Sequence, residues 1–146
     1  MDTLVFRQEH AVLLRSASRL AGLAATLQTR ADAIGVRELI NGMDALLVDH
    51  LSKEDNDLYP LMMASDDYEL RTMARDAFAD MGLLHGAWLA YRNQWTVDRI
   101  LVDASTFGAA TAALVEALAT RIAMENETLY PAADAAGLAA PFAGRA

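Results

Sequence analysis

Along the chain of 146 residues, apolar side chains return every three or four positions, the spacing of one helix face, and strand-like alternation is missing. Four such stripes follow one another. They predict helices over roughly 4–30, 36–64, 67–97 and 106–133. The first joins Phe6, His10, Leu13, Ala17, Leu20, Ala24 and Leu27, and the second Leu39, Met43, Leu46, His50, Glu54, Leu58 and Leu61. The third joins Ala74, Phe78, Met81, His85, Trp88 and Trp95, and the fourth Phe107, Thr111, Leu114, Leu118, Arg121, Glu125 and Leu129. Turns are expected at the glycine of "ADAIG", at "SDD" (Ser65 to Asp67) and at "DAST" (Asp103 to Thr106), where short oxygen-bearing side chains cap helix starts. Long amphipathic helices with short connections predict an all-α, up-down-up-down antiparallel four-helix bundle spanning 1–146 as one domain, with a short C-terminal tail from about 134.

What interrupts the stripes carries the chemistry. All three histidines, His10, His50 and His85, together with Glu54, Glu125 and Arg121, fall where the pattern calls for apolar residues. Counted from the expected turns at about 1.5 Å per residue, His10 and His50 lie within roughly 8 Å of one another along the axis, and the others fall in the same slab. Burying so many polar groups together costs several kcal/mol unless they are paired or bind something. A lone histidine on an apolar stripe is usually a hydrogen-bonded core residue, and an i,i+4 His/Glu pair is common on solvated faces. Convergence of the whole set favours a metal. His50 and Glu54 share one helix face, a turn apart, and Glu125 reaches toward the same centre from the fourth helix. Imidazole and carboxylate suit Fe, with Zn or Mn as alternatives. Met43, Met81, Met124, Trp88 and Trp95 read as core packing.

Residues 48–60, "VDHLSKEDNDLYP", and 119–131, "ATRIAMENETLYP", read as one phrase written twice at an offset of 71. Glu54 matches Glu125, Tyr59 matches Tyr130 and Pro60 matches Pro131, while His50 is set against Arg121. In each copy proline distorts or ends the helix, leucine packs, and the hydroxyl of Tyr59 or Tyr130 is a candidate donor to a metal ligand.

Composition narrows the function classes. With 12 basic against 20 acidic residues the net charge is −8, which disfavours nucleic acid and anionic membrane surfaces as partners. Cysteine is absent, so a metal must be held by His, Asp or Glu. Neither a leader-like start nor an apolar run of roughly 18 residues is apparent, and the expectation is a soluble, cytoplasmic protein.

From "QEH" at His10, through "HLSKEDNDLYP" and "LLHGAW", to "RIAMENETLYP", the chain resembles a hemerythrin-like (HHE cation-binding) domain over nearly its whole length. The resemblance implies a four-helix bundle around a non-haem, oxo- or hydroxo-bridged di-iron centre, used by relatives for oxygen binding, storage, sensing or redox chemistry. By position it implies that His10 and His50 serve one metal, that His85 serves the other, and that Glu54 and Glu125 bridge. Family members normally carry histidine where this chain has Arg121, and some carry another where it has Met81 or Leu89. Arginine stays protonated and has no lone pair to give a metal.

Charge counting then favours one ion over two. One divalent ion balances Glu54 and Glu125, whereas Arg121 plus two such ions leave the pocket at roughly +3 before any oxide or hydroxide is counted. The expected set is His10, His50, Glu54 and Glu125, with His85 as fifth ligand or outer donor and the Arg121 guanidinium paired with Glu125 or Glu54. Dioxygen or a small redox ligand is the expected partner; no acid, base or substrate-positioning group identifies an enzyme, and no protein partner is legible. The competing reading is a metal-free regulatory or interaction bundle, its vestigial polar layer fixing helix register.

Overall fold

The structure, a computed structural model, describes residues 3–137; the expected tail beyond Gly137 lies outside the described residues. Helix α1 is Leu4–Thr26. Helix α2, Arg30–Lys53, runs through a π-helical turn, Glu54–Leu58, into α3, Tyr59–Met63. Helix α4 is Tyr68–Gln94 and a short α5 is Val97–Val102. Helix α6, Ala104–Met124, passes through a second π-turn, Glu125–Leu129, into α7, Tyr130–Ala135. The described residues are thus all-helical, with five continuous helical segments where the apolar pattern predicted four.

Local chemistry explains the boundaries. The first turn is at residues 27–29, not at "ADAIG": Thr29 accepts from the Asp32 N–H at 3.1 Å and Asp32 accepts from the Thr29 N–H at 3.1 Å, a reciprocal capping box. Gly35 therefore lies inside α2. Asp67 caps α4 by accepting from the N–H groups of Glu69 and Leu70, and Asp103 caps α6 through Thr106. The unexpected α5 starts at its own cap, Thr96, and anchors itself with the fully buried Ile100.

Both π-turns have one cause. Proline at 60 and at 131 has no N–H to donate and its ring crowds the carbonyl four residues back. Each helix widens by one residue, so that the Tyr59 N–H bonds the Glu54 carbonyl and the Tyr130 N–H bonds the Glu125 carbonyl, five residues back. The added residue rotates the inward face. Beyond Glu54 the buried positions are Leu58, Tyr59 and Met62, whereas an unbroken α-helix would have put Leu61 inward. The stripe shifts elsewhere too, with Leu47 and Ala77 buried in place of the exposed Leu46 and Phe78.

Helix α1 packs along α2 and α6, α3 packs on α4, and α4 also contacts α6. By length and composition the rod Ala104–Ala135 would suffice to cross a bilayer, but it packs against α1 and α4 and carries the buried Glu125.

The apolar core has two parts. One contains Leu13, Leu47, Leu51, Met81, Leu84 and Ile122; the other contains Phe6, Leu58, Tyr59, Ala77, Leu129 and Tyr130. His10 sits between Phe6 and Leu13 on α1, Glu54 between Leu51 and Leu58, and Glu125 between Ile122 and Leu129. A polar layer divides the core. On α4 the division falls between Ala77 and Met81, which leaves His85 about 6 Å further along the helix than Met81.

Candidate metal centre

His10, His50, Glu54 and Glu125 are all buried, and one ligand atom from each lies within 4.8 Å of the others. His10 Nε2 is 3.0 Å from His50 Nε2 and 3.2 Å from Glu125 Oε1, and His50 Nε2 is 3.0 Å from Glu54 Oε1. Helical spacing supplies the His50/Glu54 pair, and the fold brings His10 and Glu125 to it from α1 and from the head of the second π-turn.

Two residues outside the predicted set decide where the imidazole protons sit. Asn126 Oδ1 is 2.8 Å from His10 Nδ1, and Glu9 Oε1 is 2.8 Å from His50 Nδ1. Each oxygen is placed to accept an Nδ1–H, the tautomer in which the Nε2 lone pair faces inward. Glu9 is itself steadied by Lys53, whose Nζ donates to Glu9 Oε2 at 2.6 Å and lies 3.0 Å from Asp49 Oδ2. Both orienting residues adjoin a ligand in the chain, Glu9 before His10 and Asn126 after Glu125. That adjacency is the only sequence signal for them, and it is weak, because neighbours on a helix do not share a face.

The glutamates are divided between two tasks. Tyr130 donates to Glu54 Oε2 at 2.8 Å and Tyr59 donates to Glu125 Oε2 at 3.2 Å, so each tyrosine of the repeated phrase serves the glutamate of the other copy. Glu54 Oε1 and Glu125 Oε1 have no hydrogen-bond partner. Burial, then the approach of Glu125, pushes the Glu54 carboxyl well above the ordinary carboxylate range. For Glu125 desolvation acts the same way but is outweighed by Glu54, His10 and His50, which leave it lowered. Burial, then the charges of Glu54 and Glu125, raises the Tyr59 and Tyr130 phenols far above the ordinary value, so both remain donors. Phe6 closes the site, its ring 5.8 Å from that of His50 and 5.7 Å from that of Tyr130.

Two imidazole nitrogens and two carboxylate oxygens thus converge beside the Tyr130 hydroxyl, which stands 3.1 Å from His10 Nε2, and a cation at their centre would offset the cost of burying them. The spacing fits one. With metal–ligand bonds of about 2.1 Å, neighbouring ligand atoms lie roughly 3.0 Å apart around an octahedral ion and roughly 3.4 Å apart around a tetrahedral one. Three of the six separations, 3.0, 3.0 and 3.2 Å, fall in that range, and all six lie within 4.8 Å.

One sequence expectation needs correction, and one residue of the expected set stands outside the gathered four. Arg121 does not pair with Glu125 or Glu54: its Nη1 donates to Asp80 Oδ2 on α4 at 2.8 Å, and a quarter of its side chain is exposed. Ile122, one position along, holds the inward place, and the long arginine stem lets the charged head leave the core and stay hydrated. His85 is half-buried and stands outside the four-residue group, because the polar layer meets α4 before reaching it. Its Nε2 is buried without a hydrogen-bond partner, and the ring lies near enough to Asp55 to counter the burial that raises that carboxyl.

Fold and site together define an all-helical protein with a buried His/Glu cluster suited to a metal cofactor. Residues 2–133 match the hemerythrin HHE cation binding domain, and the chain belongs to that family. No curated protein and no solved structure matches it.

Proposed function

We propose that the protein is a non-haem metal-binding hemerythrin-like protein that holds one ion, iron before zinc or manganese, on His10, His50, Glu54 and Glu125, and uses it in sensing or storing oxygen, redox state or iron. The carrying observation is convergence: the Nε2 atoms of His10 and His50 and the Oε1 atoms of Glu54 and Glu125 meet in a buried group, while Asn126 Oδ1 and Glu9 Oε1, each 2.8 Å from an Nδ1, favour the tautomers that leave Nε2 free to bind. A bound iron would supply a change of oxidation state and a coordination position for dioxygen or a small redox ligand.

The chain's own residues shape the site around that task. Glu9 and Asn126 orient the rings, Tyr59 and Tyr130 fix the carboxylates, and Phe6, Leu58 and Leu129 exclude water. The site is depleted on one side: Arg121 stands where the repeat would supply a histidine and faces Asp80, and His85 stands apart. In this reading the rods alternate in direction as an up-down-up-down bundle, supported by the three-residue connection at 27–29 and the short one at 64–67. A net charge of −8 supports a small ligand, and not nucleic acid or an anionic membrane, as the partner; a cytoplasmic location is part of the same proposal.

Metal analysis and visible spectra of anaerobically purified protein, before and after air, test the reading. Iron near one per chain with an oxygen-dependent charge-transfer band is expected. Protein that binds no metal and melts identically with and without chelator would overturn it and favour the metal-free interaction module.

A further inference from the structure

The second π-turn leaves one carbonyl open. In an α-helix the Asn126 carbonyl would accept from the N–H of Tyr130, but here that N–H goes to the Glu125 carbonyl, and the next residue, Pro131, has no N–H to give. A side chain from another helix fills the gap: Arg7 of α1 donates from Nη1 to the Asn126 carbonyl at 3.1 Å. The rest of the guanidinium is held as well. Its Nε donates to Thr3 Oγ1 at 3.2 Å, its Nη2 stands 3.8 Å from Asp134 Oδ2 on α7, and its central carbon lies 5.5 Å from the centre of the Tyr130 ring. Arg7 and His10 are neighbours on one face of α1 by helical spacing. Both reach the same residue, Arg7 its carbonyl and His10 its side chain, where Asn126 Oδ1 is 2.8 Å from His10 Nδ1.

We propose that Arg7 is a positioning residue of the metal centre: by capping the open carbonyl it holds Asn126 where the side chain meets and orients the His10 imidazole. This inference rests on the metal-binding reading above and extends it to a residue that acts through Asn126 and not on the metal. Position and charge pull in opposite directions here. Arg7 is a cation near a cation site, so its charge by itself weakens metal binding, and removing it on that ground alone should tighten zinc. If its hold on Asn126 governs, removing it should loosen zinc instead. The sign of the change separates the two.

The test is a double-mutant cycle on the full chain, read by zinc competition titration and by thermal melts with chelator present. Arg7→Met keeps an apolar stem and removes the donors. It should bind zinc about 10-fold more weakly than the wild type and, with chelator, melt roughly 5 °C lower because the carbonyl has lost its donor. In an Asn126→Ala background the carbonyl remains but the side chain that meets His10 is gone. There Arg7→Met should still lower the melting temperature and should no longer change zinc affinity. A merely structural role would not give that split. In a Pro131→Ala background the carbonyl regains a backbone N–H whichever register the turn takes, and most of the melting loss should disappear. Unchanged or tighter zinc binding by Arg7→Met overturns the inference while leaving the metal site intact. So does an equal loss of affinity with and without Asn126→Ala, or a melting loss undiminished by Pro131→Ala. A wild type that binds no zinc defeats the metal-binding reading itself, whereas the chelated melts still report on the capped carbonyl. Should Arg7→Met fail to fold, Arg7→Lys takes its place in the cycle, and the same loss of effect on zinc in the Asn126→Ala background is required of it.

Discussion

Replacing Glu54 by Gln separates the cost of the polar layer from its use. In the metal-free protein burial raises the Glu54 carboxyl well above its ordinary range. A raised carboxyl favours the folded state while protonated, so its stabilisation is complete below the unfolded value and is lost as pH rises through the folded one. Each pH unit between those values removes about 1.4 kcal/mol. Gln has nearly the shape of protonated Glu, and its amide oxygen still accepts from the Tyr130 hydroxyl. With chelator present, Glu54→Gln should therefore match the wild type at pH 5 and become the more stable of the two by pH 8. Metal reverses the order. Saturation at about 100 times Kd stabilises by about 2.7 kcal/mol, which for a domain of this size is a rise of roughly 10 °C in Tm. The variant has lost a ligand and should lose most of that rise. Thermal melts by circular dichroism from pH 5 to 8, with chelator and with zinc, read both effects. If the chelated wild type gains on Glu54→Gln as pH rises, or if the variant keeps the full metal-dependent shift, the argument from the buried carboxyl fails.

Three further outcomes follow from the geometry. Asn126→Ala and Glu9→Ala each remove an acceptor that holds an imidazole proton on Nδ1, and each should weaken zinc binding about 10- to 100-fold in a competition titration while leaving the helix content unchanged. Arg121→Ala breaks only a partly exposed pair with Asp80; urea denaturation should show a loss of less than about 1 kcal/mol, and metal stoichiometry should not move. Thr29→Ala removes half of the capping box at the start of α2 and should cost about 1 kcal/mol in the same assay, with zinc affinity retained once folded.

Much of the architecture was legible because helical periodicity is a local property. The spacing of apolar residues showed an all-helical chain and placed His10, His50, Glu54 and Glu125 on inward stripes, and the structure gathers those four. It misplaced the first turn, because a glycine drew attention from the Thr29/Asp32 capping box, and it missed α5, which is shorter than the window in which periodicity can be counted. After Glu54 it slipped by one position, since it had no means of counting the residue that the π-turn inserts.

The four ligand candidates, the repeated phrase and the prolines that widen both helices are fixed by residue type and spacing alone, since they depend on lone pairs, helical period and a missing N–H. Everything that turns them into a centre is decided by packing between distant segments. Asn126 meets His10, Glu9 meets His50, and the two tyrosines exchange glutamates across the molecule. Arg121 and His85 show the same limit from the other side. Both lie on the apolar stripe as the sequence draws it, but the level at which the polar layer crosses each helix, and the reach of a long side chain to water, are set only when the helices stand together.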